Sequence, residues 1–211
     1  AKFEYCDITG SEEYLLRLFR TYKIDYVMNY AAEPYIPVSF ARPIHVFSIN
    51  AFGALKVINA AQEAGCKGIL QVSSAEIYGN QGGKITEDAP VIPHSTYGAS
   101  KAAIDAMVQV RWKEARTPVI ALRQFNCVGE RETHPYIVPE IISQLHNHPH
   151  KKQVRLGNNS FRDFQYAGDA VKMATELLEK GQFGEVYNMG SETGIKMYDL
   201  AKLIGKLMGL G

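Results

Sequence analysis

Residues 68–79 read GILQVSSAEIYG, and residues 95–101 read STYGASK. The first stretch opens with an apolar run, 68–73, whose continuous character predicts a β-strand buried on both faces. This strand ends at Ser73 and Ser74, and the second stretch places Tyr97 and Lys101 one helical turn apart. The sequence therefore predicts a buried strand followed by a helix, with polar side chains where the strand ends.

These polar side chains are suited to proton transfer. A lysine ammonium beside a phenol favours phenolate, so Lys101 would lower the pKa of Tyr97 and let it act as a base near neutral pH. Ser74 would add a hydroxyl to the same site. Tyr198 and Lys202 have the same spacing, but no apolar strand ending in serines precedes them, and we assign that pair no function.

Composition indicates one globular chain with a substantial core, since 46% of the 211 residues are hydrophobic and 21% are charged. The net charge of +1 favours neither a nucleic acid nor a membrane surface as partner. The three cysteines, Cys6, Cys66 and Cys127, are expected to be free thiols in a reducing compartment. No apolar run approaches the length of a membrane span and no signal peptide is visible, so we expect a cytoplasmic protein.

Strand-like and helix-like segments alternate along the chain. Predicted strands are 3–8, 25–31, 68–73, 118–125 and 185–188, and predicted helices begin at Ser11 and cover about 43–64, the Tyr97 segment, 139–146, 169–180 and 197–208. This alternation predicts an α/β fold with a Rossmann-like, doubly wound parallel sheet. We assign residues 1–128 to the dinucleotide-binding domain and residues 129–211 to a partial C-terminal substrate-binding region.

Six motifs occur in an order that resembles a known family. They are Asp7-Ile8-Thr9, Asn29-Tyr30-Ala31-Ala32-Glu33, Asn50-Ala51-Phe52-Gly53, the run from Val72 to Gly79, Arg123-Gln124-Phe125-Asn126-Cys127-Val128-Gly129, and Arg162-Asp163-Phe164-Gln165-Tyr166. Together they resemble the extended short-chain dehydrogenase/reductases that modify sugar nucleotides, the NAD-dependent epimerase/dehydratase group. The resemblance runs the length of the chain.

The resemblance implies roles for individual residues. The cofactor NAD would be bound by Asp7, Ile8, Asn29, Ala31, Ala32, Asn50, Ser73, Tyr97 and Lys101. The nucleotide-diphosphate sugar would be bound by Glu33, Asn126, Arg131 and Arg162, with the fork of Arg162 on the diphosphate. The resemblance also implies a homodimer, for which the apolar helix 46–61 offers a face as well as core residues. No metal site is expected, since His146, His148 and His150 lie beside Pro149 in a predicted exposed turn.

The sequence departs from the family at its start. The family opens with a Gly-x-x-Gly-x-x-Gly turn that holds the pyrophosphate, whereas here Gly65 and Gly68 are followed by Gln71. We expect the chain to open at the family's third strand, with about 50 to 60 residues absent in front. The strand at 3–8 would then lack its neighbour in the sheet. The acidic residue that contacts the ribose and selects NAD over NADP would lie outside this sequence.

Glu76 distinguishes among the reactions that the resemblance allows. Tyr97 would remove the proton of a sugar 4-hydroxyl while C4 gives hydride to the nicotinamide, and the resulting ketone acidifies C5. Ser/Thr-x-Glu resembles the 4,6-dehydratases, in which the glutamate takes the C5 proton. Dehydratases of thymidine-diphosphoglucose show Asp before that Glu, and here the position is Ala75.

Three readings of different kinds remain open. The first is an NAD-dependent sugar-nucleotide enzyme, with 4,6-dehydration favoured over 4-epimerisation or a decarboxylation of the UDP-glucuronate type. The second is a protein that binds NAD or a sugar nucleotide without turnover. The third is a reductase of a small alcohol, which Arg162 and Asn126 disfavour because they suit a diphosphate.

Overall fold

The computed structural model describes residues 2–133, 135–147 and 153–210 of the chain. Its α-helices are α1 (Glu12–Thr21), α2 (Ile36–Ala41), α3 (Pro43–Phe47), α4 (Ala54–Glu63), α5 (Thr96–Ala115), α6 (Ile137–Asn147), α7 (Ala167–Lys180) and α8 (Met197–Leu207). Its strands are β1 (Tyr26–Asn29), β2 (Gly68–Val72), β3 (Val119–Gln124), β4 (Asn126–Val128), β5 (Phe161–Tyr166), β6 (Val186–Met189) and β7 (Gly194–Lys196). A π-helical segment covers Ser48–Gly53, and a 3₁₀ helix covers Ala75–Tyr78.

The chain forms two compact units. The first comprises Ala1–Gln124 and Lys172–Met189, and the second comprises Phe125–Val171 and Gly190–Gly211. The chain first passes from one unit to the other between Gln124 and Phe125, four residues before the predicted boundary at 128/129. The chain then returns to the first unit because β6 pairs with β3.

The first unit contains the parallel sheet that the sequence predicts. Its strands lie in the order β1-β2-β3-β6, and every neighbouring pair is parallel. All five residues of β2 are buried, which confirms the strand predicted at 68–73. Parallel strands need crossover connections, and here the crossovers contain helices. The α/β, Rossmann-like fold class is therefore confirmed.

Helix α1 begins where the sequence predicts. Ser11 is its N-cap, and the hydroxyl oxygen of Ser11 accepts a hydrogen bond from the backbone N–H of Tyr14. Glu12 and Glu13 lie in the first turn, where carboxylates are favoured by the helix dipole. Leu15 on this helix packs into the hydrophobic core that α4, α5, β2 and β3 also build.

The helix predicted from about 43 to 64 is continuous but not uniform. Helix α3, the π-helical segment and α4 together run from Pro43 to Glu63, and Gly65 follows with a φ of 81°. By length and composition alone, this 21-residue helix is apolar enough to cross a membrane. The prediction that no apolar run approaches the length of a membrane span is therefore wrong. Val57 and Ile58 nevertheless lie in the core of the first unit, so part of the apolar composition of this helix belongs to that core.

The strand predicted at 3–8 is wrong. Within the described residues this segment pairs with no strand, and Phe3 and Tyr5 are 87% and 83% exposed. A β-strand needs backbone hydrogen bonds to a neighbouring strand, and apolar residues alone do not provide such a neighbour. Cys6 and Ile8 pack against the core, which accounts for part of the apolar character of the segment.

The second unit contains a small mixed sheet. Strands β4 and β5 are parallel, and β5 and β7 are antiparallel. Helices α6 and α8 form its core through Ile141, Leu145, Leu200 and Ile204. The predicted helices at 139–146 and 197–208 are confirmed, whereas the sequence reading did not find these three short strands.

Candidate active site

The candidate site lies at the carboxyl ends of β1 and β2. Asn29 is the last residue of β1, and Ser73 and Ser74 directly follow β2. Open parallel sheets bind their ligands beyond the carboxyl ends of the strands. Because β1 and β2 are neighbours in register, these polar residues belong to one edge of the sheet.

A short turn holds Glu76 beside the serine pair. The Ser74 hydroxyl oxygen accepts a 3.2 Å hydrogen bond from the backbone N–H of Glu76 and thereby caps the 3₁₀ helix Ala75–Tyr78. Ser74 is buried, and Glu76 is half-buried. The predicted hydroxyl and carboxylate thus belong to a single capped turn.

Helix α5 presents Tyr97 and Lys101 on the buried side of the unit. Ser95 caps the helix, accepting a 3.0 Å hydrogen bond from the backbone N–H of Gly98. The Lys101 Nζ lies 5.9 Å from the centre of the Tyr97 ring and donates a 2.9 Å hydrogen bond to the carbonyl oxygen of Val72. The structure therefore brings the ammonium close to the phenol ring, at the end of the strand that leads to the serines.

The second Tyr-x-x-x-Lys pair shows why burial matters. Lys202 also lies over the ring of Tyr198, at 4.4 Å from its centre, but both residues are exposed. Water therefore screens their interaction. Burial, by contrast, lowers the pKa of Lys101 from 10.5 to about 8. Spacing alone does not separate the two pairs, whereas their surroundings do.

Asn29 links the loop that follows β1 to the neighbouring strand β2. Its amide donates a 2.7 Å hydrogen bond to the side-chain oxygen of Gln71, the residue opposite it in β2. Its amide oxygen accepts from the backbone N–H of Ala31. Asn29 is buried, whereas Ala31 is exposed and Ala32 half-buried. Of these three predicted cofactor residues, only the two alanines are accessible to solvent.

Asn50 joins three parts of the first unit. Its amide oxygen accepts from the backbone N–H of Glu33 at 2.8 Å, and its amide nitrogen donates to the Glu33 carbonyl and to the Ser100 hydroxyl, each at 3.1 Å. Ser100 in turn donates to the carbonyl oxygen of Tyr97. Asn50 is 1% exposed, so any effect it has on a cofactor is transmitted through these neighbours. The Glu33 carboxylate accepts from the backbone N–H of Tyr35.

Asp7 and Ile8 occupy the turn before α1. The Asp7 carboxylate accepts from both the backbone N–H and the hydroxyl of Thr9, and these hydrogen bonds lower its pKa. Ile8 packs over Gly53, where an added Cβ would lie 2.9 Å from the Ile8 side chain. Asp7 therefore stabilises the turn itself, and Ile8 places the turn against the π-helical segment.

The residues fit one end of a nicotinamide dinucleotide better than the other. A buried ammonium, two buried hydroxyls and the Tyr97 phenol are donors and acceptors suited to the ribose and nicotinamide end. Ser73 contributes through its hydroxyl, which donates to the Lys101 carbonyl oxygen. The glycine turn that holds a pyrophosphate does not occur in this sequence.

The second unit holds the remaining predicted substrate residues. Asn126 on β4 donates through its amide to the carbonyl oxygen of Asp163 on β5, at 3.0 Å. The Asp163 carboxylate accepts from the backbone N–H groups of Ser191 and Glu192, so it is engaged by that turn. Among the described residues no hydrogen bond or ion pair is recorded for the guanidinium of half-buried Arg162. Arg131 is exposed, with a φ of 69°.

Metal ligation has no support in the part of the chain that the structure describes, where no group of three or more His, Cys, Asp or Glu side chains could hold an ion. His148 and His150 lie outside the described residues.

The sequence reading missed a set of polar residues in the first unit, of which Asn188 is half-buried and the others are buried. They are Gln71, Tyr78, Ser100, Asp105, Arg123 and Asn188. One signal was available, since Arg123 follows four apolar residues of the same strand and a buried arginine needs a partner. Asp105 also lies one helical turn after Lys101.

A parallel sheet whose second strand ends in two serines, beside a helix with buried Tyr-x-x-x-Lys, defines a short-chain dehydrogenase/reductase. The family model described as GDP-mannose 4,6 dehydratase matches residues 1–208. The chain thus belongs to this family of NAD-dependent epimerases and dehydratases that act on sugar nucleotides.

Curated relatives match almost the whole chain. The protein named dTDP-D-glucose 4,6-dehydratase in Mus musculus is 33% identical over 208 residues, covering 98% of this chain and 58% of the relative. The Homo sapiens protein of that name is also 33% identical, with coverages of 98% and 59%. The chain thus spans less than two thirds of the length of these relatives.

Solved structures agree on the fold. DesIV, a dTDP-glucose 4,6-dehydratase from Streptomyces venezuelae, superimposes with a TM-score of 0.89 at 24% identity, covering 99% of this chain and 64% of that one. The dTDP-glucose 4,6-dehydratase from Bacillus anthracis, solved in complex with NAD, gives 0.86 at 26% identity, with coverages of 98% and 64%.

Proposed function

We propose that this protein acts on a nucleoside-diphosphate hexose through a 4-keto intermediate and completes a 4,6-dehydration. The observation that carries the proposal is the position of Glu76 on a turn capped by Ser74 and in contact with the helix that bears Tyr97. A plain 4-epimerase needs no carboxylate at that place. The names of the relatives and of the family model support the same reaction class.

Different residues are proposed to act at C4 and at C5 of the sugar. Tyr97, made more acidic by the cation of Lys101, would accept the proton of the 4-hydroxyl, and Ser74 would hydrogen-bond that hydroxyl. NAD, when bound, supplies the hydride acceptor for C4. Glu76 would then take the C5 proton, which the 4-ketone has acidified.

The departing 6-hydroxyl also needs a proton. Position 75 is alanine, so the neighbouring acid expected in dehydratases of thymidine-diphosphoglucose is absent from this turn. Glu76, protonated by the removal of the C5 hydrogen, is the carboxyl that the turn offers for this step. The C5 proton would thus leave with the hydroxide as water and give a 4-keto-5,6-ene. Return to C6 of the hydride taken from C4, with a proton added at C5, would then give the 4-keto-6-deoxy sugar and balance the reaction.

Asn126, Arg131 and Arg162 are proposed to bind the diphosphate and the sugar. A guanidinium with two parallel N–H donors matches a phosphate better than an ammonium does. The residues proposed to contact the cofactor are Asp7, Ile8, Ala31, Ala32 and Ser73. The loop that follows β1 is proposed to be held in place by Asn29, Asn50 and Glu33.

Incubation of the full-length protein with dTDP-, GDP- and UDP-hexoses, followed by mass spectrometry and NMR, tests the function. A 4-keto-6-deoxy product supports the proposal, and a C4 epimer would indicate an epimerase instead. A pentose product from a UDP-hexuronate would indicate a decarboxylase. Binding without conversion of any of these substrates would indicate a non-catalytic binding protein.

We also propose a cytoplasmic homodimer. Cys6, Cys66 and Cys127 are all free thiols, which is consistent with a reducing compartment. Phe40, Ile44 and Phe52 are 67%, 82% and 61% exposed, and large exposed apolar side chains of this kind are typical of protein interfaces. Sedimentation equilibrium gives the oligomeric state directly, and a monomer at micromolar concentration would contradict the dimer.

A further inference from the structure

A buried ion pair connects helix α5 to the centre of the sheet. Arg123 on β3 and Asp105 on α5 are 4% and 3% exposed. The Arg123 Nη2 lies 2.8 Å from Asp105 Oδ2, and its Nε donates to the same oxygen at 3.2 Å. Two N–H groups of one guanidinium thus fix the orientation of Arg123 relative to the helix that carries Tyr97.

The other end of the guanidinium reaches the turn that carries Glu76. The Arg123 Nη1 donates a 2.7 Å hydrogen bond to the hydroxyl oxygen of Tyr78, the last residue of the 3₁₀ helix. The Tyr78 hydroxyl then donates to the side-chain oxygen of Asn188 at 2.7 Å. Tyr78 is fully buried, so its hydroxyl has no access to bulk water.

The same network holds the loop after the turn. The Arg123 Nη1 also donates to the carbonyl oxygen of Glu87 at 2.7 Å. The Glu87 carboxylate accepts from the backbone N–H of Asn188, and the Asn188 amide donates to the Ile85 carbonyl oxygen. The network therefore contacts the chain directly after Glu76 and again about ten residues later.

The ion pair and the Tyr78 hydroxyl are not placed to touch a substrate. Arg123, Asp105 and Tyr78 are buried, and their polar atoms are occupied by one another. A buried ion pair adds little stability compared with apolar residues of similar volume, because both charges lose their hydration. Its more specific consequence is geometric, since one rigid guanidinium ties α5 to the Glu76 turn.

We propose that Arg123 and Tyr78 are positioning residues that hold Glu76 in register with Tyr97. The inference rests on the proposed function, in which Tyr97 acts at C4 and Glu76 acts at C5. Tyr97 and Lys101 belong to α5 and keep their relation without the network. Loss of the network therefore slows removal of the C5 proton and leaves oxidation at C4 nearly unchanged.

Tyr78→Phe tests this with little disturbance, because it removes one hydroxyl and keeps the ring in its site. The full-length protein is mixed with its sugar nucleotide and quenched with borodeuteride, so that deuterium at C4 counts the ketone formed. We expect ketone formation within about threefold of wild type and dehydration slower by about tenfold or more, the effect of losing a hydrogen bond to a charged group. Hydrogen exchange at the Glu76 and Gly79 amides should also become faster.

Two further variants separate positioning from general damage. Tyr187→Phe removes a different hydrogen-bonded hydroxyl of the first unit, which accepts from the backbone N–H of Gln182, and should change neither step. Arg123→Lys keeps a cation near Asp105 and should retain more dehydration than Arg123→Met.

The possible outcomes distinguish failure of the positioning role from failure of the proposed function. A wild-type protein that converts no sugar nucleotide would overturn the proposed function and the positioning role together. Wild-type dehydration that Tyr78→Phe leaves unchanged, with unaltered exchange at Glu76, would overturn the positioning role alone. Equal loss of ketone formation and dehydration would do the same, since it would indicate general damage.

Discussion

Gly98 on α5 lies directly against the carbonyl oxygen of Glu76. A Cβ built at residue 98 would be 2.8 Å from that oxygen and 3.0 Å from the Cβ of Pro93. Real Cβ atoms essentially never come this close to backbone, so only glycine allows the helix and the turn to approach as they do. The glycine of the Tyr-Gly-x-x-Lys segment thus has a packing reason of its own.

Gly98→Ala should therefore lower stability, although alanine favours a helix interior over glycine by about 1 kcal/mol. We expect a net loss of about 1–3 kcal/mol in the free energy of unfolding, typical of overpacking, together with slower dehydration. Chemical denaturation measures the first effect. Gly82→Ala is the control, because an added Cβ there meets nothing within 4 Å. A more stable Gly98→Ala protein would contradict the close contact.

Glu76→Gln should abolish dehydration and leave oxidation at C4 measurable. Glutamine fills the same volume but cannot accept the C5 proton. Borodeuteride trapping should still label C4, while NMR should detect no 4-keto-6-deoxy sugar. Asp88→Asn, which changes an exposed carboxylate of the following loop, serves as the control. Unchanged dehydration by Glu76→Gln would remove Glu76 from the mechanism.

Lys101→Met should change how stability depends on pH. Burial lowers the pKa of Lys101 to about 8, whereas the unfolded chain has the ordinary value of 10.5. Between these values the unfolded chain binds the proton and the folded chain does not. The stability of wild type relative to Lys101→Met should consequently rise with pH, by at most about 1.4 kcal/mol per pH unit.

Below about pH 8 both states hold the proton, so the difference between the two proteins should be constant there and largest in favour of methionine. Denaturation curves of the cofactor-free protein at several pH values measure it. Lys113→Met, which removes an exposed lysine of the same helix, is the control variant. A flat difference for Lys101→Met across pH 8–10 would rule out the desolvated ammonium.

Arg162→Ala should weaken the binding of a nucleoside diphosphate by about tenfold to a hundredfold, the effect of losing charge-assisted hydrogen bonds. Isothermal titration with dTDP, GDP and UDP measures the affinity. Arg155→Ala removes an exposed arginine of the same unit and should bind like wild type. Equal affinities for both variants would exclude Arg162 from the diphosphate site.

The parts of the fold that the sequence predicts are those with strong local signals. β2 is apolar throughout, α1 begins at a capping serine with acidic residues after it, and α5 follows a second capping serine. Tyr97, Lys101 and Ser74 were found because their types and spacing already suggest a chemistry. These predictions need little knowledge of distant contacts.

The rest depends on partners that are far away in the chain. Strands β4 and β7 have only three residues each, so no periodicity can be read from them. The segment 3–8 is as rich in apolar residues as a strand, but no described strand pairs with it. Tyr78 and Asn188 are 110 residues apart, so only the fold brings them into hydrogen-bond distance.

The π-helical segment Ser48–Gly53 sets an angular offset within one long helix. A π turn holds about one residue more than an α turn, and each residue of an α-helix advances by about 100°. Deleting a single residue here would swing everything before it around the axis relative to α4. Ser100 would lose its amide partner while Val57 and Ile58 stayed in the interior, so length in this stretch is constrained more tightly than composition.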